Sequence, residues 1–299
     1  MAPPVLALRD VRLEDGSRSL FDGVDLPLEA RARACLVGRN GAGKSTLLRL
    51  LMGSIEPDDG DRIVTPGLRI VYVEQEPPIT GETLLDYATA GGAAPYEAEA
   101  ALEGFGVEGG RSTVGLSGGE TRRAALARAF AEDPDVLLLD EPLAALDPQL
   151  RRQVRAELKH LQRAAKITFL FVTHDQEEAL SLGDRIGVMN GGKLEQVAIP
   201  AQAYSNPVSR FVAGFLGEVN WMGDRAVRPE RTRIEAASSD GAVPCRVVHS
   251  MFLGGVIQVE VECAHGSAAA HLLPHQTAFA PGDAAYLSWH RADELPLSA

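Results

Sequence analysis

The sequence predicts an α/β fold built on a mostly parallel sheet, with a small all-β domain appended at its C-terminal end. Strand-like and helix-like segments alternate from residue 5 to about residue 215. A glycine-rich segment, Gly38-Arg39-Asn40-Gly41-Ala42-Gly43-Lys44-Ser45-Thr46, falls between an apolar strand and a helix. After about Gly217 the texture changes to short strand-like runs separated by Gly, Pro, His and Ser.

In chain order, Cys35-Leu36-Val37 reads as a buried strand and Lys44 to Met52 as a helix. Between about Thr83 and Ala131 the β signal vanishes and Ala, Glu, Leu and Arg dominate, interrupted by Gly91-Gly92 and Gly109-Gly110, which predicts a helical insertion. Val136 to Leu139 is a second buried strand. Arg151 to Ala164 carries a helical stripe at Val154, Leu158 and Leu161, and Ile167 to Val172 is a β-branched and aromatic strand. Farther on, Cys245 to Val248, Val256 to Val261, Ala268 to Leu273 and Ala284 to Trp289 read as strands, while 232–243 reads as a polar loop. The expected domains are 1–216, with its helical insertion at 83–131, and 217–299.

The chain has 299 residues and a formal net charge of -12, with 29 Lys and Arg against 41 Asp and Glu. That balance argues against a surface built to wrap nucleic acid, and no nucleic-acid partner is expected. Met1-Ala2-Pro3-Pro4 lacks the charged start and apolar run of a signal peptide. No stretch approaches the roughly 18 uninterrupted apolar residues of a membrane span, so a cytoplasmic location is expected. Cys35, Cys245 and Cys263 have no CxxC or Cys/His metal spacing, which predicts reduced thiols and no structural metal.

The chemistry begins at Gly38-x4-Gly43-Lys44-Ser45. Glycines between a strand and a helix let backbone N–H groups face a phosphate, and the helix N-terminus adds positive potential. Lys44 is then placed to reach the β/γ oxygens and Ser45 to ligate Mg²⁺. Val136-Leu137-Leu138-Leu139-Asp140-Glu141 ends an apolar strand in two carboxylates. Successive strand residues point to opposite sides, which predicts divided labour: Asp140 in the Mg²⁺ shell, Glu141 as the base for the attacking water. Gln75 has two readings, a contact to the Mg²⁺ water or a solvated loop amide. His174, at the end of the next strand, either contacts the γ-phosphate and orients Glu141 and the water or is structural. Leu116-Ser117-Gly118-Gly119-Glu120 opens a helix-like stretch with Ser117 placed as N-cap. Ser117 as a cap needs no ligand; the two glycines after it would let backbone N–H groups close on a phosphate.

With these segments in order, the chain resembles the ATP-binding cassette (ABC) ATPases over residues 5 to 215: a P-loop, a glutamine loop at Gln75, a signature at Leu116 to Glu120, a Walker B strand with Glu141, a D-loop Leu143-Ala144-Ala145-Leu146-Asp147 and a switch His174. The resemblance implies a P-loop ABC cassette that uses ATP and Mg²⁺. It also implies a head-to-tail dimer in which Ser117, Gly118 and Gly119 of one subunit close over the γ-phosphate bound at Lys44 of the other, and it counts Asp147 of the D-loop among the nucleotide-binding residues. Residues 1 to about 135 look most like the first cassette of the soluble ABC-F ATPases. Residues 143 to 299 look like the ATPase subunits of polyamine-type importers, including a C-terminal TOBE-like domain around Val227-Arg228-Pro229-Glu230.

The resemblance has departures. Asp15 stands where family members usually stack adenine on an aromatic residue, Glu120 replaces the commoner Gln, and only Trp221 to Ala226 separates Asn220 from Val227, so the first TOBE sub-repeat is missing. The expected function is a homodimeric ATPase subunit, peripheral on the cytoplasmic face of the inner membrane, that drives transmembrane permease subunits and, through them, uptake from a periplasmic solute-binding protein. Polyamine is the expected solute. The alternatives are a soluble ABC-F-like ATPase acting on the ribosome, or a hybrid ATPase uncoupled from transport.

Overall fold

Runs such as Val136–Asp140 and Thr168–Thr173, buried at every position, can only sit in the middle of a sheet covered on both faces. The computed structural model, which describes residues 3–16, 18–144, 146–276 and 279–297, places them there. Met1, Ala2 and Ala145 of the Leu143 to Asp147 segment lie outside the described residues. The chain divides into two units, Met1–Pro200 and Ala201–Ala299, so the boundary falls ahead of the change in texture at Gly217.

The first unit opens with β1 (Leu6–Asp15), β2 (Arg18–Leu28), β3 (Arg33–Gly38), α1 (Lys44–Met52), β4 (Asp59–Val64) and β5 (Ile70–Val73). The helical insertion follows as α2 (Leu84–Thr89), α3 (Pro95–Gly104) and α4 (Gly118–Ala131). Then come β6 (Val136–Asp140), α5 (Pro148–Ala165), β7 (Thr168–Thr173), α6 (Gln176–Leu182), β8 (Arg185–Asn190) and β9 (Lys193–Ala198). Local chemistry explains the helix starts: Thr83 and Asp86 form a capping box ahead of α2, and Pro95 opens α3, where its missing N–H is harmless.

The central sheet has the order β5-β6-β7-β3-β8-β9, parallel except for β9, and β2-β1-β4 forms a separate antiparallel sheet. Leu6, Leu8, Val11 and Phe21 from the antiparallel sheet, Leu47, Leu48 and Leu51 from α1, and Leu138, Leu170 and Val172 from the parallel sheet share one core. Each such fully buried side chain contributes about 1.5–3 kcal/mol. This core clamps α1 against the ends of β3 and β6, where the functional segments lie. Among the described residues no helix is long and apolar enough to cross a membrane.

The second unit contains α7 (Pro200–Ser205), α8 (Arg210–Leu216), the hairpin β10 (Asn220–Met222) with β11 (Arg225–Val227), and β12 (Arg233–Glu235), β13 (Val243–Phe252), β14 (Ile257–Cys263), β15 (Gly266–Leu272) and β16 (Ala284–Ser288). Its sheet runs β12-β16-β13-β14-β15, every described pairing antiparallel. The short connection from Asn220 to Val227 is the β10–β11 hairpin itself. Asn220, fully buried, donates to Thr232 Oγ1 and the Ala269 carbonyl and accepts from the Ala269 N–H, which pins that hairpin to β15. The stretch 232–243, expected as a loop, contains β12. Its single apolar residue, Ile234, carries too little pattern to betray a strand that pairing with β16 creates.

Candidate functional site

The glycine-rich segment connects β3 to α1 at the C-terminal edge of the parallel sheet, the edge where such sheets bind ligands. Two glycines are required by geometry. A Cβ on Gly38 would lie 2.6 Å from the Met189 carbonyl oxygen on β8, and one on Gly43, at φ +95°, would lie 2.7 Å from the Phe21 ring. Gly43 leaves α1 without a side-chain cap, so the orphan N–H groups of its first turn have no side-chain acceptor and favour an anion. Arg39, Asn40 and Gly41 are exposed; Ala42 is buried and Ser45 and Thr46 are half-buried. Lys44 is 6% exposed and folds back, its Nζ donating to Gly38 O at 2.9 Å and Arg39 O at 3.2 Å. Burial pulls the Lys44 ammonium below the usual lysine range, against the opposing pull of Glu141 and Asp140.

Asp140 closes β6 and is 3% exposed. Its Oδ2 accepts from the Tyr72 hydroxyl at 3.0 Å, while Oδ1 is buried with no partner among the described residues. A desolvated carboxylate oxygen left unpaired is costly, by about 1–3 kcal/mol and more for a charged group, so this atom calls for a cation or a donor from outside the chain. Burial, then the negative charge and hydrogen bond of Asp140, push the Tyr72 phenol far up.

The expectation that strand alternation would separate Asp140 from Glu141 is corrected here. The strand ends at Asp140, and Glu141 turns out of it at φ +46°, a left-handed conformation rare outside glycine. That turn aims the carboxylate at two distant residues. Glu141 Oε1 lies 2.9 Å from His174 Nδ1, and Oε2 accepts from Gln75 Nε2 at 3.4 Å. The glutamate side chain is 11% exposed and the histidine 53%. Three residues from three separate loops thus converge beside the cradle.

Ser117 caps α4 in a full capping box: its N–H and Oγ both donate to Glu120 Oε2 at 2.8 Å, and the Glu120 N–H donates back to Ser117 Oγ at 3.2 Å. Those bonds hold the Glu120 carboxyl below its usual range. The side-chain hydrogen bonds described for these two residues stay within 111–120, so the structure gives this segment a capping role in its own chain. Asp147 likewise caps α5, accepting from the N–H groups of Gln149 and Leu150 at 2.9 and 3.0 Å.

Sequence reasoning missed two arginines. Arg151 joins the segment before α5 to the loop of His174, donating to Leu146 O at 3.2 Å and Asp175 Oδ2 at 3.3 Å. Arg122, 2% exposed, lies beneath Gln75 and Glu141, and its described hydrogen bonds all go to backbone carbonyls. A signal for Arg122 existed: it shares the α4 face of buried Ala125, Leu126 and Ala129, at helical spacings of three, four and seven.

Comparison with known proteins agrees with this geometry. The family model described as ABC transporter matches residues 21–144, and that of the TOBE domain matches 225–297. The N-terminal part is similar to ATP-binding protein Uup of Caulobacter vibrioides, 65% identical over 174 residues, which cover 58% of this chain and only 28% of that protein. Spermidine/putrescine import ATP-binding protein PotA of Pseudomonas aeruginosa is 34% identical over 354 aligned positions, covering 97% of each chain. Among solved structures, the dimeric post-hydrolysis state of the ATP-binding cassette MJ0796 bound to ADP and Pi superposes with a TM-score of 0.59 at 25% identity, covering 65% of this chain and 98% of that one. With a phosphate cradle, a buried strand carboxylate and a glutamate at its edge in one unit, a TOBE domain in the other, and a relative aligned across both, the chain belongs to the ABC transporter family as an ATP-hydrolysing cassette.

Proposed function

We propose that the protein is the ATPase subunit of an importer, working as a homodimer on the cytoplasmic face of the inner membrane and energising permease subunits that take up a small solute. The convergence of Gln75, Glu141 and His174 supports the hydrolytic roles. Glu141 accepts a proton from water as the water oxygen bonds the γ-phosphorus and the bond to ADP breaks. His174 orients Glu141 through Nδ1, and Gln75 fixes its other oxygen. Lys44, released from the Gly38 and Arg39 carbonyls, pairs with the phosphate oxygens, and the uncapped start of α1 receives the β-phosphate. The unpartnered Asp140 Oδ1 fits a hard cation, so Asp140, with Ser45 and Gln75, would hold Mg²⁺. That ion would neutralise charge on the β and γ oxygens.

The Ser117-Gly118-Gly119 segment, exposed at Ser117 and Gly118, acts on the ATP of the second subunit, and Asp147 lies at that junction. Support for import, and for polyamine as the solute, comes from the end-to-end likeness to PotA, which includes the C-terminal domain. The test is reconstitution with the permease subunits of a polyamine importer: ATP hydrolysis should rise when spermidine or putrescine is presented with its binding protein. Stimulation by sulfate instead overturns the polyamine assignment, and stimulation by no solute overturns import. A second reading, an ATPase acting on the ribosome or a hybrid uncoupled from transport, rests on the 65% identity to Uup. Co-sedimentation with ribosomes in an ATP-dependent manner would select it.

A further inference from the structure

The carbonyl groups on both sides of Glu141 are held by one side chain. Arg122 Nε donates to Pro142 O at 2.9 Å, and Nη2 donates to Asp140 O. Its third nitrogen, Nη1, donates to Glu74 O and, at 3.3 Å, to Gln75 O. The guanidinium is 2% exposed and spends every described hydrogen bond on backbone flanking Glu141 or Gln75. Its planar fork suits such divergent carbonyls in a way that a lysine ammonium does not. Glu141 needs this support, because φ +46° is disfavoured for a residue with a Cβ and relaxes unless its neighbours are fixed. Burial lowers the Arg122 pKa only to about 10, with Asp140 and Glu141 pulling the other way, so the group is charged at neutral pH.

Arg122 also lies five residues beyond Ser117, within the first turns of α4. A single rigid helix therefore begins at the exposed glycine segment and ends its first turns in the backbone of the hydrolytic loops. We propose that Arg122 is a positioning residue: it holds Glu141 and Gln75 in hydrolytic register and ties that register to the position of the Ser117 helix. This proposal rests on the assignment of Glu141 as base.

The test compares ATP hydrolysis by the full-length wild type, Arg122→Gln, Arg122→Lys, Glu141→Gln and the Arg122→Gln/Glu141→Gln double variant, with thermal unfolding of each. Arg122→Gln should lower kcat by roughly 10- to 100-fold, the scale of a misplaced reacting group, and leave KM for ATP within about threefold because the cradle is untouched. Arg122→Lys, retaining charge without the fork, should fall between wild type and Gln. In the double variant the slow hydrolysis left by Glu141→Gln should drop by less than about twofold, because a residue that acts through Glu141 has nothing left to position. Full multiplication of the two losses, or a parallel rise of KM with the fall of kcat, overturns the proposal in favour of a merely structural role. If Arg122→Gln does not fold, Arg122→Lys carries the same two readouts. Normal hydrolysis by Glu141→Gln removes the base assignment itself, whereas a strongly slowed Glu141→Gln beside a fully active Arg122→Gln removes Arg122 alone.

Discussion

Two helices in the first unit start at glycines, and they start in opposite ways. α1 begins after Gly43 with no side-chain cap and a buried lysine folded onto its own loop. α4 begins after Ser117 with its cap complete, Gly118 exposed and Gly119 half-buried. The first start has unmet electrostatic demand inside the chain, an open helix N-terminus beside a lysine held at a desolvation cost, and a phosphate satisfies both. The second has met its own demand, so whatever it does for ATP it does for a nucleotide held elsewhere. Similar composition yields an uncapped start in one case and a self-capped one in the other, and the difference is who supplies the acceptor.

The comparison is broken most decisively at Lys44. Lys44→Ala should cut steady-state ATP hydrolysis by about 10²–10³-fold, the usual worth of a buried charge-stabilising donor, in a phosphate-release assay. A loss under about fivefold would mean that α1 is not where the reacting phosphates sit.

Matched alanines come next. Gly43→Ala puts a Cβ 2.7 Å from the Phe21 ring at φ +95°, costing about 1–3 kcal/mol and lowering Tm by several degrees. Gly119→Ala meets the Leu146 and Leu150 side chains at 3.6 Å and Arg123 Nη1 at 3.8 Å, ordinary contact, so Tm should hold or rise slightly. Glu141→Gln should accumulate an ATP-bound dimer on size-exclusion chromatography, and adding Gly119→Ala should abolish it. Retention of that dimer would leave the second glycine start as a cap alone.

Ser117→Ala removes the cap and should cost about 1 kcal/mol, a fall in Tm of about 2–4 °C for a unit of this size. The smallest effect sharpens the first region. Asp15, exposed at the end of β1, offers no π-face to adenine, and Asp15→Tyr should lower KM for ATP by about twofold to fivefold, at the low end of aromatic stacking.

Much of this site was legible because its signals are local. Gly38 to Thr46 carries strand, turn and helix start within nine residues, and Ser117 to Glu120 carries a capping box within four. Gln75 and His174 were harder, each having a bland reading as well as a catalytic one. Their hydrogen bonds to Glu141 favour the catalytic reading but join residues 66 and 33 positions apart. β1 pairs with β4 across about fifty residues, and β12 becomes a strand only beside β16, so neither pairing left a short-range trace.

From the order of residues alone came the α/β class, the appended β domain, the cradle and the identities of the carboxylates, because periodicity and turn chemistry act over a few residues. Tertiary structure alone decided which way Glu141 points, through its left-handed turn, and left Asp140 Oδ1 buried without a partner. It also decided that Arg122, outwardly one more charge on an insertion helix, is buried among the carbonyls that flank Glu141 and Gln75. Such features depend on what packs against a group. Desolvation and hydrogen-bond supply are set by neighbours brought from far along the chain.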